Sequence, residues 1–568
     1  MLNYRALVVL VAFSFVHAGL IAQTFEWAVV PMGALTRGFA CVTDESGNVY
    51  MSGHVNGPTD MDPGPGEAFT SGESQNANIF LVKYGPSGNY IWHVEIPGTT
   101  VEMPSDLCLD HQGGLLMTGF LSGITEWGQE PNAAAVVTNG FNDGFVAKFD
   151  TTGAFQWVRQ LGAGLVDEAT GVAVDDADNV YVTGYFGSTV DFDPGPGVSS
   201  LEFQGGVQDS YLAKYSPNGD LFWVRGLQGS GAQTAQAVAC DDAGAVYVTG
   251  QFAGATSLGP GTSGVVSGAG GEGFLCKYSV DGDFVWARSF GGPLNEKTDV
   301  VLADGAGHLY LFGRFGGTAD LDPGPAVSTH TSIGAEYAAF YTKLDTSGHA
   351  IWVRTLQANT LEAGSGDIAV DGEENVYVTG NFNTLIDLDP GVGEFLVSAP
   401  YPNDHFLVKF DCTGTFRWGQ TIITGDVFDT ADALCTDSEG NVFVSGSFSD
   451  SIAFDASGLE GSFVADIVRA GYLAKYGGDL ITGIPVTFEP AFVLEVFPNP
   501  ATDALTVLLP ADRLADRLEI LDASGRLVWL STGPVVTTVP AHLFAPGTYT
   551  VAVRAGGLWS QTRFVIGR

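Results

Sequence analysis

Seven tryptophans, Trp27, Trp92, Trp157, Trp223, Trp286, Trp352 and Trp418, recur every 63 to 66 residues, and so regular a beat restricts the chain to a repeat architecture. A lysine keeps the same time at Lys83, Lys148, Lys214, Lys277, Lys343, Lys409 and Lys475, seven of the eight lysines present. Each unit divides into four short apolar runs, as in GVAVD (171–175), NVYVTGYF (179–186), SYLAKY (210–215) and LFWVRG (221–226). Tight-turn chemistry separates the first run from the second and the third from the fourth, because Asp, Asn and Gly tolerate left-handed backbone or bond the turn themselves. Val, Tyr, Phe and Trp fill the runs, as strands require, and no window shows a helical period. Four antiparallel strands per unit, repeated about an axis, make a β-propeller.

The ends of the array predict how the ring closes. The last unit stops at AKY (474–476) without a tryptophan run, and the N-terminal FEWAVV (25–30) is a tryptophan run without a unit. Pairing the two completes a seventh blade and removes an exposed edge. The expected fold is all-β: a seven-bladed β-propeller over 23–476 closed by the N-terminal strand, a linker at 477–490, and a small C-terminal β-sandwich over 491–568. Ahead of it, Arg5, the apolar run Ala6–Phe15 and the small residues after it predict a signal peptide over 1–22, cleaved at Ala22. That run falls short of the ~20 apolar residues that span a bilayer, so no transmembrane span is expected in the mature chain.

Composition narrows the function classes. Hydrophobic residues make up 45%, enough for a large core despite 77 glycines. A net charge of −41 excludes a nucleic-acid partner, since phosphate contacts need clustered Lys and Arg. From Ala491 onward six acidic residues balance six basic ones, so the excess acid belongs to the repeats. Six cysteines in an exported chain invite disulfides, but their differing repeat registers read instead as small apolar filler.

The repeats resemble SBBP-type propeller repeats of secreted bacterial proteins, through their NVYVTG-like, FDPG-like and AKY…G…W segments. AKFDTTGAFQW (147–157) is also similar to the tryptophan-docking motif of quinoprotein dehydrogenases, although Asp150 stands one place late and those enzymes have eight blades. The tail resembles the type A sorting domain of the type IX secretion system. FPNPATDAL (497–505), LDASGRLV (521–528), LFAPGTYTVAV (543–553) and the final RFVIGR carry that resemblance, with Phe497 where the family has Tyr. Its motif residues here are Phe497, Pro498, Asn499, Pro500, Gly525, Gly547 and Tyr549. The resemblance implies the type IX machinery as partner, removal of the tail, and a secreted or outer-membrane cell-surface destination, often with attachment to lipopolysaccharide.

Two constellations are candidates for binding. The pairs Asp60/Asp62, Asp191/Asp193, Asp320/Asp322 and Asp387/Asp389 stand in DxDPG loops and offer the hard oxygens that calcium takes. Asp before Pro-Gly is equally ordinary turn punctuation, and three units lack the pair, at Trp127-Gly128, Leu258-Gly259 and Ala453–Asp455. The second constellation is the residue after the second run's glycine, which varies while its neighbours hold: His54, Phe120, Tyr185, Gln251, Arg314, Asn381 and Ser447. These seven are expected to rim the channel mouth, on the face bearing the Asp loops, where they suit a glycan or peptide; the alternative is a solvated position without a ligand. The tryptophans and lysines recur in every unit, so they read as packing residues. No catalytic constellation, zinc spacing or nucleotide-binding glycine pattern occurs, and calcium is the only cofactor the residues suggest. The leading reading is a secreted or cell-surface binding module serving adhesion or glycan binding. The alternatives are a polysaccharide-acting or quinoprotein-like enzyme and a purely structural surface component.

Overall fold

The computed structural model describes residues 25–477 and 495–566, apart from short stretches within each. The expected signal peptide with Ala22, nearly all of the expected 477–490 linker, and Pro498, Asn499, Pro500 and Gly525 lie outside the described residues. The described residues fall into two units, Gln23–Gly478 and Asp479–Arg568.

The first unit is a seven-bladed propeller. Blade 1 runs Leu35–Thr43, Val49–Asn56, Asn78–Tyr84 and Tyr90–Ile96, paired in that order. Blades 2 to 6 repeat the pattern from innermost strands Met103–Leu109, Glu168–Val174, Gln233–Cys240, Lys297–Ala303 and Gly366–Val370. Blade 7 takes Thr430–Thr436, Val442–Phe448 and Ala470–Tyr476 from the end of the array and Phe25–Val29 from its beginning. The borrowed strand pairs antiparallel, with Trp27 opposite Lys475 as Trp223 is opposite Lys214 in blade 3. Each innermost strand lies beside the next, and that of blade 7 lies beside that of blade 1, so the ring is closed.

The tryptophans join blades rather than fill them. Trp27, Trp157, Trp223 and Trp352 each donate Nε1–H to a carbonyl in the next blade's outer turn: Pro86, Pro217, Val280 and Cys412. The indole lies on a glycine of that turn, where φ is near +80° and a Cβ would come within about 3 Å of the ring, as at Gly88, Gly153 and Gly282. Trp157, Trp223 and Trp286 are therefore half-buried, less covered than a core indole. The lysines anchor the same seam from within, Lys214 being held in its own blade by Asp175 at 3.1 Å and the face of Tyr181 at 4.8 Å and donating to the Val280 carbonyl of the next at 3.3 Å.

A sevenfold apolar plug holds each long loop down. Met61, Trp127, Phe192, Leu258, Leu321, Leu388 and Phe454 are each at most 1% exposed. The carbonyls of Met61, Phe192, Leu258 and Phe454 accept the hydroxyls of Tyr84, Tyr215, Tyr278 and Tyr476. The six cysteines stand as free thiols, with Cys41, Cys276 and Cys435 buried and Cys412 exposed.

The C-terminal unit has two sheets. One pairs Glu495–Phe497, Ala504–Leu508 and Thr538–Pro540; the other pairs Leu527–Thr532, Ala515–Leu521, Gly547–Ala555 and Leu558–Ile566. Leu505, Val507 and Val539 of the first share one core with Leu518, Ile520, Val551 and Val553 of the second. Of the motif residues, Phe497 and Gly547 lie in strands, and Tyr549 is buried against Phe544 at 5.4 Å. No helix among the described residues is long and apolar enough to cross a membrane.

Candidate functional site

A β-bulge in the innermost strand shapes the wall of the channel. One extra residue interrupts the pairing at Phe39, Ser105, Thr170, Gln236, Asp299 and Asp432; the first five residues are half-exposed, and the Asp432 side chain is 8% exposed. Bulges re-aim side chains, and here they place five residue types, Asp twice, on the innermost strands of six blades. Just before the bulge, the innermost strand meets the variable residue of the second strand. Arg37 lies opposite His54, Met103 opposite Phe120, Glu168 opposite Tyr185, Thr234 opposite Gln251, Lys297 opposite Arg314, and Thr430 opposite Ser447. Six of the seven variable residues thus stand beside the innermost strands at the end where the long loops begin.

Several are engaged with neighbours. Tyr185 donates to Glu168 at 2.5 Å, and Glu168 also accepts from Ser105 of the preceding blade at 3.0 Å. Asn381 is buried, donating to the Asp429 carbonyl and accepting from Ala431 N–H across the seam to blade 7. Gln251 bonds Asn295 of blade 5, and buried Ser447 bonds Thr430 at 2.9 Å. Arg314 lies over Tyr337, and Phe120 is half-buried. His54 is 8% exposed, with no hydrogen-bond partner for Nδ1.

The seam between blades 7 and 1 brings two arginines, Arg37 and Arg469, together with Asp432 and Asp429. Arg37 grips Asp432 in a two-pronged pair at 2.8 and 3.1 Å and lies over the Phe39 ring at 4.5 Å. Phe39 packs against His54 at 5.4 Å, and the Arg469 carbonyl accepts the Thr36 N–H at 3.2 Å. Burial, then the charges of Arg37 and Arg469, push the His54 imidazole down to about 4, so it stays neutral near pH 7. Arg37, Phe39 and Arg469 were not singled out by the repeat pattern. Their one sequence signal is position, since Phe39 is the bulged residue, Arg37 stands two before it and Arg469 immediately precedes the seventh unit's third strand.

Two carboxyls of the channel wall have a different task. Asp106 Oδ2 accepts Val172 N–H of blade 3 at 3.0 Å, and Asp367 Oδ2 accepts Leu434 N–H of blade 7 at 2.7 Å. Both residues are half-buried, and their carboxyls are ringed by protein. Loss of bulk hydration pushes Asp106 up to about 6 and Asp367 up to about 7, the charge of Asp106 adding to the latter.

The Asp pairs are built into their loops. In each, the first carboxylate accepts two backbone N–H groups: Asp60 those of Asp62 and Ala68, Asp191 those of Asp193 and Ser199, Asp320 those of Asp322 and Ser328, and Asp387 those of Asp389 and Phe395. The second accepts the N–H of the following glycine, Gly64, Gly195, Gly324 or Gly391, at 2.7 to 2.9 Å. These bonds fold the turn over the apolar plug that lies between the two acids. Calcium takes six to eight oxygens. Among the described residues, the one group of three His, Cys or acidic ligands lies elsewhere, at Asp304, His308 and Glu374. There, His308 Nδ1 meets Asp304 at 2.9 Å and Lys343 crosses to Glu374 at 2.6 Å.

Residues 156–185 match the family model described as a β-propeller repeat, SBBP, and residues 495–567 match that of a secretion system C-terminal sorting domain. An uncharacterized WD repeat-containing protein of Acanthamoeba polyphaga mimivirus is 21% identical over 73% of this chain and 30% of its own length. The regulatory protein FlaEY of Caulobacter vibrioides is 27% identical over 32% of this chain and 18% of its own. The chain thus spans less than a third of either relative. Among solved structures, a protein of unknown function from Dyadobacter fermentans aligns over 81% of this chain and 99% of that one, at 10% identity and a TM-score of 0.35. One from Bacteroides caccae aligns over 57% and 93%, at 9% identity and a TM-score of 0.27. The chain carries a β-propeller repeat of the SBBP type and ends in a type IX secretion C-terminal sorting domain, which marks it for export to the medium or the cell surface.

Proposed function

We propose that the exported propeller is a non-catalytic glycan-binding module of the cell surface or medium, taking its ligand at the channel mouth on the seam between blades 7 and 1. One observation carries the reading: on a framework that repeats seven times, the side chains that differ from blade to blade meet at this mouth. A half-exposed aromatic, Phe39, beside the Arg37 guanidinium suits the apolar face and acidic substituents of a sugar. Adhesion follows naturally from a surface location. A glycan and peptide array probed with the purified propeller tests it. Binding to acidic glycans should fall at least tenfold in Phe39→Ala with an unchanged melt. Peptide-only binding, or glycan binding indifferent to Phe39, overturns the assignment.

An enzymatic reading has one observation in its favour, the raised carboxyls Asp106 and Asp367 in the channel wall. Their bonds to the next blade's backbone give them a structural task already, and this favours the binding module.

A further inference from the structure

Cys41 and Cys435 belong to two strands that meet only because the ring closes. Leu35–Thr43 of blade 1 lies beside Thr430–Thr436 of blade 7. Arg37–Asp432 pins the two strands at one end, and Thr43 Oγ1, donating to the Thr436 carbonyl at 2.6 Å, pins them at the other. The cysteines sit between the pins. Cys41 pairs with Met51, the third residue of its neighbouring strand, whereas Cys435 pairs with Phe443, the second of its own. Successive strand residues point to opposite faces, so this one-residue offset turns Cys41 back towards blade 7 and Cys435 forward towards blade 1. Both enter one core with Met51, Val82, Phe443 and Leu473, and the two thiols are within hydrogen-bonding reach. Blade 2 supplies an internal control. Cys108 has the register of Cys435, opposite Leu116, but the residue of blade 3 in Cys41's register is Val172.

We propose that Cys41 and Cys435 are a cross-linking site, forming a disulfide that locks the propeller's first blade to its last. The sorting tail marks the chain for export, and export passes through an oxidising compartment. The oxidant is the disulfide of a thiol–disulfide exchange carrier. One cysteine thiolate attacks a carrier sulfur, forming a mixed disulfide and expelling the carrier's other sulfur as thiolate. The second cysteine, deprotonated, then attacks the chain's sulfur in that mixed disulfide; the intrachain bond forms and the carrier leaves as a dithiol. Two thiols lose two electrons and two protons, and the carrier gains both. Burial pushes the Cys435 thiol up in the closed ring, so the exchange belongs to the open seam, before the N-terminal strand docks. The bond would then close a loop holding nearly the whole ring, where a cross-link constrains the unfolded chain most.

The test uses the full chain exported by its own host and collected without reductant. Alkylation in denaturant, before and after reduction, should leave two of the six cysteines unmodified until reduction, recovered as one linked pair of peptides containing Cys41 and Cys435. Six reactive thiols before reduction, or a linkage elsewhere, overturn the proposal. As a second readout, reductant should lower the melting temperature of the wild type and of Cys108→Ser but leave Cys435→Ser unmoved. A wild type that melts alike with and without reductant also overturns it.

Discussion

The seam between blades 3 and 4 and the seam between blades 7 and 1 join the same kind of blade by different means. At the interior seam, Arg225 lies over Trp223 at 5.0 Å and clamps two carbonyls of the next turn, Gly282 and Asp281, at 2.8 and 3.1 Å. At the closing seam, the position two residues after Trp27 is Val29, so that clamp is missing. Its place is taken nearer the axis by Arg37–Asp432 and by the Thr43–Thr436 bond, while Lys475 reaches Glu26 and the Pro86 carbonyl. Interior blades are already tied by the chain. The closing pair must be held by contacts alone, on the innermost strands through Arg37–Asp432 and Thr43–Thr436 and at the outer turn through Trp27 and Lys475.

The comparison predicts unequal costs. Trp223→Ala should destabilise by ~2 kcal/mol, because it removes the indole and leaves Arg225 without its platform; Trp27→Ala should cost about half as much. Paired thermal melts check this, and an equal loss at both seams would show that the clamp adds nothing.

A smaller effect separates the seams by pH. Asp367 ties blade 6 to blade 7, and its folded value of about 7 lies above the ordinary carboxylate range. The folded chain therefore holds a proton that the unfolded chain has released, and the stability this gives is lost as pH rises from about 4 through 7. The stability advantage of wild type over Asp367→Asn should shrink across that window. Denaturant titrations at pH 5 and 8 measure it; an advantage that grows towards pH 8 contradicts the assignment.

The smallest effect expected is that of calcium. A site of ~1 mM affinity would add only ~0.4 kcal/mol at 1 mM ion, and the Asp carboxylates are already occupied by backbone N–H groups. Melts with 1 mM calcium and with chelator should agree to about a degree. A shift of several degrees would mean that the loops gather an ion after all.

What repeated was legible in the sequence, because packing between identical neighbours writes the same residue into every unit. The seven tryptophans, the lysines and the orphan FEWAVV strand gave blade number and closure directly. The channel wall was not legible, since a bulge adds one residue and shifts the phase of the pattern, hiding Phe39 beside the run that contains it. The Asp pairs drew attention as ligands, yet the units that lack them carry the better clue. Trp127, Leu258 and Phe454 keep the apolar residue where the Asp pair is broken or absent, so the plug is the constant feature and the acids hold its turn. The cysteines, read as filler by their irregular register, owe their approach at Cys41 and Cys435 to that same irregularity.

Strand order also dictates a schedule. Phe25–Val29 leaves the ribosome first but pairs with Ala470–Tyr476, made almost last. Until the last strand is made, six blades' worth of chain separates the closing strand from its site, and two sheet edges stand open. A large negative charge keeps such edges apart, and the sorting tail follows the last strand after a short linker. Ring closure is therefore a late event in the life of this chain, and it requires both ends of the propeller to have arrived on the same side of the membrane.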